Sequence, residues 1–160
     1  MLLNYLKTKY DRELEEGWAA FEIGNITKAE EHFREILKNE GSPQNSVYCS
    51  IEAHAGLGAT NLRHKDLFEA NRWYIEAYYL LDKLYQTKWP NRLEWKKLED
   101  RPALRTLIGL AHLAYIKKDH IRARSFYNRL LKLDHRDELG VRRFLNALDS
   151  GIAFEELDSF

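Results

Sequence analysis

GNITKAEEHFREIL at 24–37, KDLFEANRWYIEAY at 65–78 and KDHIRARSFYNRLL at 118–131 carry one pattern three times. Each places an alanine (Ala29, Ala70, Ala123) five residues after a turn position (Gly24, Lys65, Lys118) and an aromatic ring (Phe33, Tyr74, Tyr127) four residues after the alanine. Four residues is just over one helical turn, so alanine and ring share a face. Twelve residues before each alanine stands another small residue, Gly17, Gly58 or Ala111. Helices approach closely only where one presents a small side chain and the other fits a large one beside it. The repeated unit therefore reads as an antiparallel helix pair, small residue against ring.

Working outward, the apolar spacing extends the pattern to the whole chain. Leu3, Leu6, Tyr10, Leu14, Trp18 and Phe21 make one helical stripe of about twenty residues. Thr27 with Glu30 reads as a capping box for a second helix lined by Ile26, Ala29, Phe33, Ile36 and Leu37. Gly41, Ser42 and Pro43 read as a stop, an N-cap and a first-turn proline for a third helix running to Arg63. Asp66 and Glu69 cap a fourth, whose stripe Leu67, Ala70, Tyr74, Ala77, Leu81 and Leu84 carries it towards Thr87. Around Trp89, Pro90 and Asn91 the period fails, and 88–101 reads as the irregular connection before Pro102 opens a fifth helix. Ile121, Phe126, Leu130 and Leu131 line a sixth, and 137–148 closes the stack. No stretch alternates for long enough to make a strand. The expected fold is all-α: a single domain over 1–160, about seven helices, with repeats near 10–40, 51–84 and 104–134.

The small residue of the first helix, the turn, and the alanine and ring of the second resemble the tetratricopeptide repeat, matched in three places over about 17–131. The resemblance implies a right-handed stack of helix pairs. The alanines are 41 and 53 residues apart, against a family repeat of about 34, so the second interval holds an insertion that coincides with the 88–101 connection. The ending around Asp134, Asp137, Gly140 and Arg142 is similar to a subgroup whose last repeat runs into a closing helix.

Composition narrows the class. Hydrophobic residues make up 44% and charged residues 31% of 160 residues, a globular profile. Basic and acidic residues balance at 25 each, so no global field selects nucleic acid or a charged surface. Residues 88–146 are nonetheless locally basic, fifteen against seven, and 149–160 carry four acids and no base. No segment reaches the roughly 20 apolar residues of a membrane span, and the first residues lack a secretory apolar run. Cys49 is the only cysteine, so a reducing, cytoplasmic setting is expected, with Cys49 as a small buried apolar residue.

Catalytic patterns are missing. AGLGATN has Asn61 where a dinucleotide fingerprint needs glycine, so Gly56 and Gly58 read as helix-packing positions. There is no nucleophile elbow, and His54, His64, His112 and His120 show no zinc-type spacing. Glu15 with Glu16, and Glu155 with Glu156, are adjacent and point to different sides of a helix, which suits a solvated face better than acid–base work. Asn25, Ile26 and Thr27 form a glycosylation sequon, but at an interhelical turn a capping role is preferred. No enzyme activity, cofactor or metal is expected.

The resemblance implies a partner-binding concave face lined by the first helix of each pair. By register this brings Trp18, Phe21, Glu22, Glu52, Arg63, Arg105, His112 and Tyr115 to the groove. Aromatic and mixed in charge, the set suits a protein scaffold that holds a peptide or partner helix. Family members that grip a terminal carboxylate use lysine and asparagine where this chain has Leu14 and Trp18, so that clamp is not expected. The alternative is a nucleic-acid surface at Lys117, Lys118, Arg122, Arg124 and Arg129, with Tyr115 and Tyr127 as stacking rings. Monomer and homodimer stay open, because 89–95 either covers this chain's own core or pairs with a second copy.

Overall fold

The computed structural model describes residues 8–157. Among them are seven α-helices and no strand: α1 Lys9–Glu22, α2 Ile26–Lys38, α3 Val47–Arg63, α4 Leu67–Leu84, α5 Arg101–Ile116, α6 His120–Leu133 and α7 Val141–Asp149, then a 3-10 turn, η1 Phe154–Glu156. The helices pack as consecutive pairs, α1 with α2, α3 with α4 and α5 with α6, while α1, α3 and α5 also lie side by side as one layer.

The three pairs turn in the same way, atom for atom. At each turn the amide of the left-handed residue donates three positions back: Gly24 to Phe21, Lys65 to Leu62, Lys118 to Tyr115. The next amide reaches five back, Asn25 to Ala20, Asp66 to Asn61, Asp119 to Ala114, closing the two bonds that end a helix in a left-handed cap. That same residue then caps the next helix, since Asn25, Asp66 and Asp119 accept from the amides of Lys28, Glu69 and Arg122. One residue ends one helix and starts the other. The pair angle is set locally, by the sequence of the turn.

Behind each turn the small-against-large packing is as the register requires. Ala29, Ala70 and Ala123 are fully buried, as are Phe33 and Tyr127, with Tyr74 almost so. A methyl placed on Gly17 would stand 2.8 Å from the Phe33 ring, and one on Gly58 2.8 Å from Tyr74. Gly56 and Gly109 meet the same two rings, at 2.6 and 2.1 Å. Ordinary carbon contacts are about 3.5–4.0 Å, so glycine here lets backbone lie on ring. Three apolar clusters result among the described residues: one between α1, α2 and α3, one running from α3 through α7 to Phe154, and a small one of Leu62, Ala70 and Leu113 between α3, α4 and α5.

Several boundaries differ from those expected. The helix of about twenty residues begins at Lys9, where Thr8 and Asp11 complete a capping box; Leu3 and Leu6 lie outside the described residues. The cap of α2 is Asn25, not Thr27. Helix α3 starts at Val47, because Ser46 rather than Ser42 accepts the Cys49 amide, and Pro43 stays in the preceding turn. Helix α4 stops at Leu84, with Gln86 and Thr87 both left-handed. Ile121 is 86% exposed; the buried stripe of α6 is Ala123, Tyr127, Leu130 and Leu133. Helix α7 waits until Val141, since the Asp137 carboxylate takes the amides of Val141 and Arg142 and Gly140 is left-handed.

Candidate functional site

The connection 88–101 is tied to the stack at each end. The buried Leu93 donates its amide to the carbonyl of Leu133 at 2.9 Å, and the Asp100 carboxylate accepts the Glu94 amide at 2.9 Å. Trp89 packs on Tyr78 and Tyr85, and its indole N–H donates to Asp82. Both tryptophans of the connection cover this chain's own surface, because Trp95 lies against Arg101 and Arg105 of α5. So held, residues 95–99 stand up as a wall facing α1.

Between that wall and the layer of α1, α3 and α5 is a cleft of about 860 Å³. A ladder of cations and rings crosses its floor. The Arg105 guanidinium lies 3.6 Å from the centre of the Trp18 ring and 4.7 Å from that of Trp95, and Arg101 lies 5.0 Å from the other partner in line, Trp95. Arginine is suited to this, its flat cation stacking on rings while its edge still donates. Arg101 Nε donates to the Trp95 carbonyl at 2.7 Å, and Arg105 Nε to Glu52 Oε1 at 2.6 Å.

Glu52 is 5% exposed, and burial raises its pKa above the ordinary carboxylate value against the pull of Arg105. Burial lowers the pKa of Arg105, with Glu52 and then Glu22 among the charges that oppose it. The two side chains make one neutral, desolvated unit beneath the cleft. Asp11, Leu14, Glu15, Ala19 and Glu22 form the α1 side, and Tyr48 and Cys49 the near end of α3. Cys49 donates its thiol to Asp11 at 3.1 Å, and its pKa is pushed up to about 12, mainly by burial. Burial keeps it packed and protonated, since only the thiolate form reacts readily.

Of the eight residues expected on the groove, Trp18, Glu22, Glu52 and Arg105 come together at this cleft. Phe21 and Arg63 form a separate cation–ring contact at 4.7 Å and do not line it. His112 and Tyr115 are covered by the C-terminal segment. The Tyr115 hydroxyl donates to the Ile152 carbonyl at 2.5 Å, and Phe154, fully buried, lies 5.0 Å from His112 and 5.3 Å from Tyr115. His112 Nδ1 also meets the Tyr127 hydroxyl at 2.7 Å, and burial lowers the imidazole pKa to about 3. Tyr115 belongs to the core and the half-buried His112 is taken up by these contacts, so neither lines the cleft.

The alternative basic cluster is divided. Lys117, Lys118 and Arg122 are exposed, but Arg124 pairs with Asp149 at 2.7 Å. Arg129 stacks on Trp89 at 4.2 Å and donates to the Tyr78 hydroxyl. The rings meant for bases, Tyr115 and Tyr127, are buried. A stacking platform at those two rings is therefore ruled out.

Two features had no signal in the chain's spacing. Trp95 lies in the aperiodic connection, yet supplies the middle of the ladder. Glu13, Glu16 and His32 place three metal-type ligand atoms within 4.8 Å of one another, from two helices that Gly17 lets lie close. His32 Nδ1 is already 2.8 Å from Glu13 Oε1 and 3.8 Å from Glu16 Oε2. Among the described residues no helix is long and apolar enough to cross a membrane. No family model, no curated protein and no solved structure matches the chain, and the cleft is read from its own chemistry.

Proposed function

We propose that this chain is a non-enzymatic scaffold of the tetratricopeptide type, which holds a peptide or helix of a partner protein in the cleft between α1, α3, α5 and the 95–99 wall. One observation carries the reading: a cleft of about 860 Å³ whose floor, Trp18, Arg105, Trp95 and Arg101 over Glu52, is already locked. Aromatic and arginine anchors held in place before binding lose little freedom on association, the arrangement that concentrates binding energy in few residues. The volume falls in the range of recognition pockets. The buried, high-pKa Cys49 and the neutral ion pair offer neither nucleophile nor general base. A reducing compartment, the cytoplasm, suits a free thiol kept unoxidised.

The test uses tagged wild type and Ala19→Arg, which places a long cation in the cleft from an exposed position on α1. Each is incubated with native lysate, with and without nuclease. A protein recovered by wild type after nuclease treatment and lost with Ala19→Arg supports the proposal. Recovery that vanishes with nuclease, or that Ala19→Arg leaves unchanged, refutes it and returns attention to Lys117, Lys118 and Arg122.

A further inference from the structure

Away from the cleft, α1 turns another face to α2, and there two carboxylates and an imidazole converge. Glu13 and Glu16 are three residues apart and so share one side of α1. His32 reaches them from α2, where Gly17 lets the two helices come together: a Cβ on Gly17 would stand 3.1 Å from that of His32. One ligand-type atom from each of the three side chains lies within 4.8 Å of the other two.

Charge separates this cluster from an ordinary surface ion pair. His32 Nδ1 is 2.8 Å from Glu13 Oε1 and 3.8 Å from Glu16 Oε2, and among the described residues neither carboxylate pairs with a lysine or arginine. Lys28 and Arg34 of α2 are taken by Glu31 and Glu30. One imidazole facing two carboxylates leaves the cluster negative whether His32 is neutral or protonated. The Glu13 and His32 side chains are 20% and 13% exposed, so water and salt screen that excess less than on an open face.

Spacing points the same way. Zinc holds nitrogen and oxygen at about 2.0–2.2 Å, which in a tetrahedron sets neighbouring ligand atoms about 3.3–3.6 Å apart. The observed 2.8 and 3.8 Å fall on either side of that range. A shift of about half an ångström in each contact would seat an ion. One nitrogen and two carboxylates suit a borderline cation of the zinc class, whereas calcium and magnesium take oxygen ligands alone. The Glu16 side chain is 64% exposed, which leaves the fourth position open to water.

We infer that Glu13, Glu16 and His32 form a binding site for a divalent transition cation, with zinc as its chemical type. The ion supplies the charge that the cluster lacks and fastens α1, one wall of the cleft, to α2. Histidine spacing along the chain gives no sign of it, because the ligands belong to two helices.

The test is calorimetric titration of the chelator-treated whole protein with zinc chloride, with calcium and magnesium as competitors. Wild type is compared with Glu13→Gln, Glu16→Gln and His32→Asn, and with His64→Asn/His120→Asn as a control for exposed histidines elsewhere. One equivalent of zinc is expected to bind wild type and the control, to raise their melting temperature, and to resist competition by calcium and magnesium. Each cluster substitution weakens it at least about tenfold, since loss of an outer-shell partner alone costs about 10–100-fold. Imidazole nitrogen NMR of wild type should show the His32 Nδ1 resonance moving on saturation, a readout that stands even where a variant fails to fold. Zinc that binds the three variants as tightly as wild type, or that is lost in the double-histidine control, is an adventitious ion only and overturns the inference. A wild type that takes up no zinc, or an unmoved His32 resonance, overturns it as well.

Discussion

Gly109→Ala adds one methyl group at the most crowded point of the molecule. Its Cβ would lie 2.1 Å from Tyr74 Cε1 and 2.2 Å from Cζ, where an ordinary contact needs about 3.5 Å. The ring must move about 1.4 Å, but it is 3% exposed and held on its far side by Gly58, whose own Cβ direction meets it at 2.8 Å. Overpacking of this kind costs about 1–3 kcal/mol, with the larger figure apt for a clamped ring. Alanine regains up to about 1 kcal/mol of helix propensity in α5. The net loss is about 2 kcal/mol, a fall in Tm of about 4–8 °C for a chain of this size. Urea and thermal unfolding followed by circular dichroism measure it. In a Tyr74→Leu background the same change should be neutral or stabilising, a coupling of about 2 kcal/mol. If Gly109→Ala is as stable as wild type with Tyr74 in place, α3 and α5 do not meet through this ring and the close-packed register is wrong.

Glu52→Gln leaves Arg105 buried without a countercharge, so about 3–5 kcal/mol should be lost, while Glu52→Leu with Arg105→Met recovers most of it; equal stability of the single and double variants in urea would show that the pair is solvated. His112 has its pKa lowered to about 3 from 6.5, mainly by burial with Arg143 adding to it. The unfolded chain therefore binds the proton first, and stability present above pH 6.5 falls as pH drops towards 3, with a slope of up to about 1.4 kcal/mol per pH unit. His112→Asn, which keeps an acceptor for Tyr127, should flatten the melting temperature between about pH 6.5 and 5; an unchanged slope would place the titration elsewhere. Cys49, its thiol pKa pushed up to about 12, should resist iodoacetamide at neutral pH in the native protein and react fully in denaturant. Rapid native labelling would contradict its burial beside Asp11.

How much was legible depended on whether a residue's neighbours are fixed by helical period. The alanines, their rings and the small residues opposite occur at set intervals, so Ala70, Tyr74 and Gly58 could be paired without coordinates. The resemblance to the tetratricopeptide repeat, not the period, implied that Trp18, Glu52 and Arg105 share one face, and they do line one cleft. The period could not place Trp95, which sits where the period stops, nor the return of Phe154 over α5, which covers His112 and Tyr115 and keeps them off the cleft. Caps failed where two acceptors compete within a few residues: Ser42 and Ser46, or Asn25 and Thr27, offer the same chemistry, and turn geometry chooses. Ile121 misled because its apolar character was counted into the stripe, whereas its position at the start of α6 faces solvent, as does Phe68 at the start of α4.

The ladder across the cleft floor also makes the protein its own optical probe. Two of the four tryptophans, Trp18 and Trp95, share the Arg105 guanidinium, while Trp73 and Trp89 sit away from the cleft. Anything that enters displaces water from those two indoles and alters their stacking with the cation, so it shifts the intrinsic emission. Titrations therefore need no dye, and Ala19→Arg supplies the matching blank.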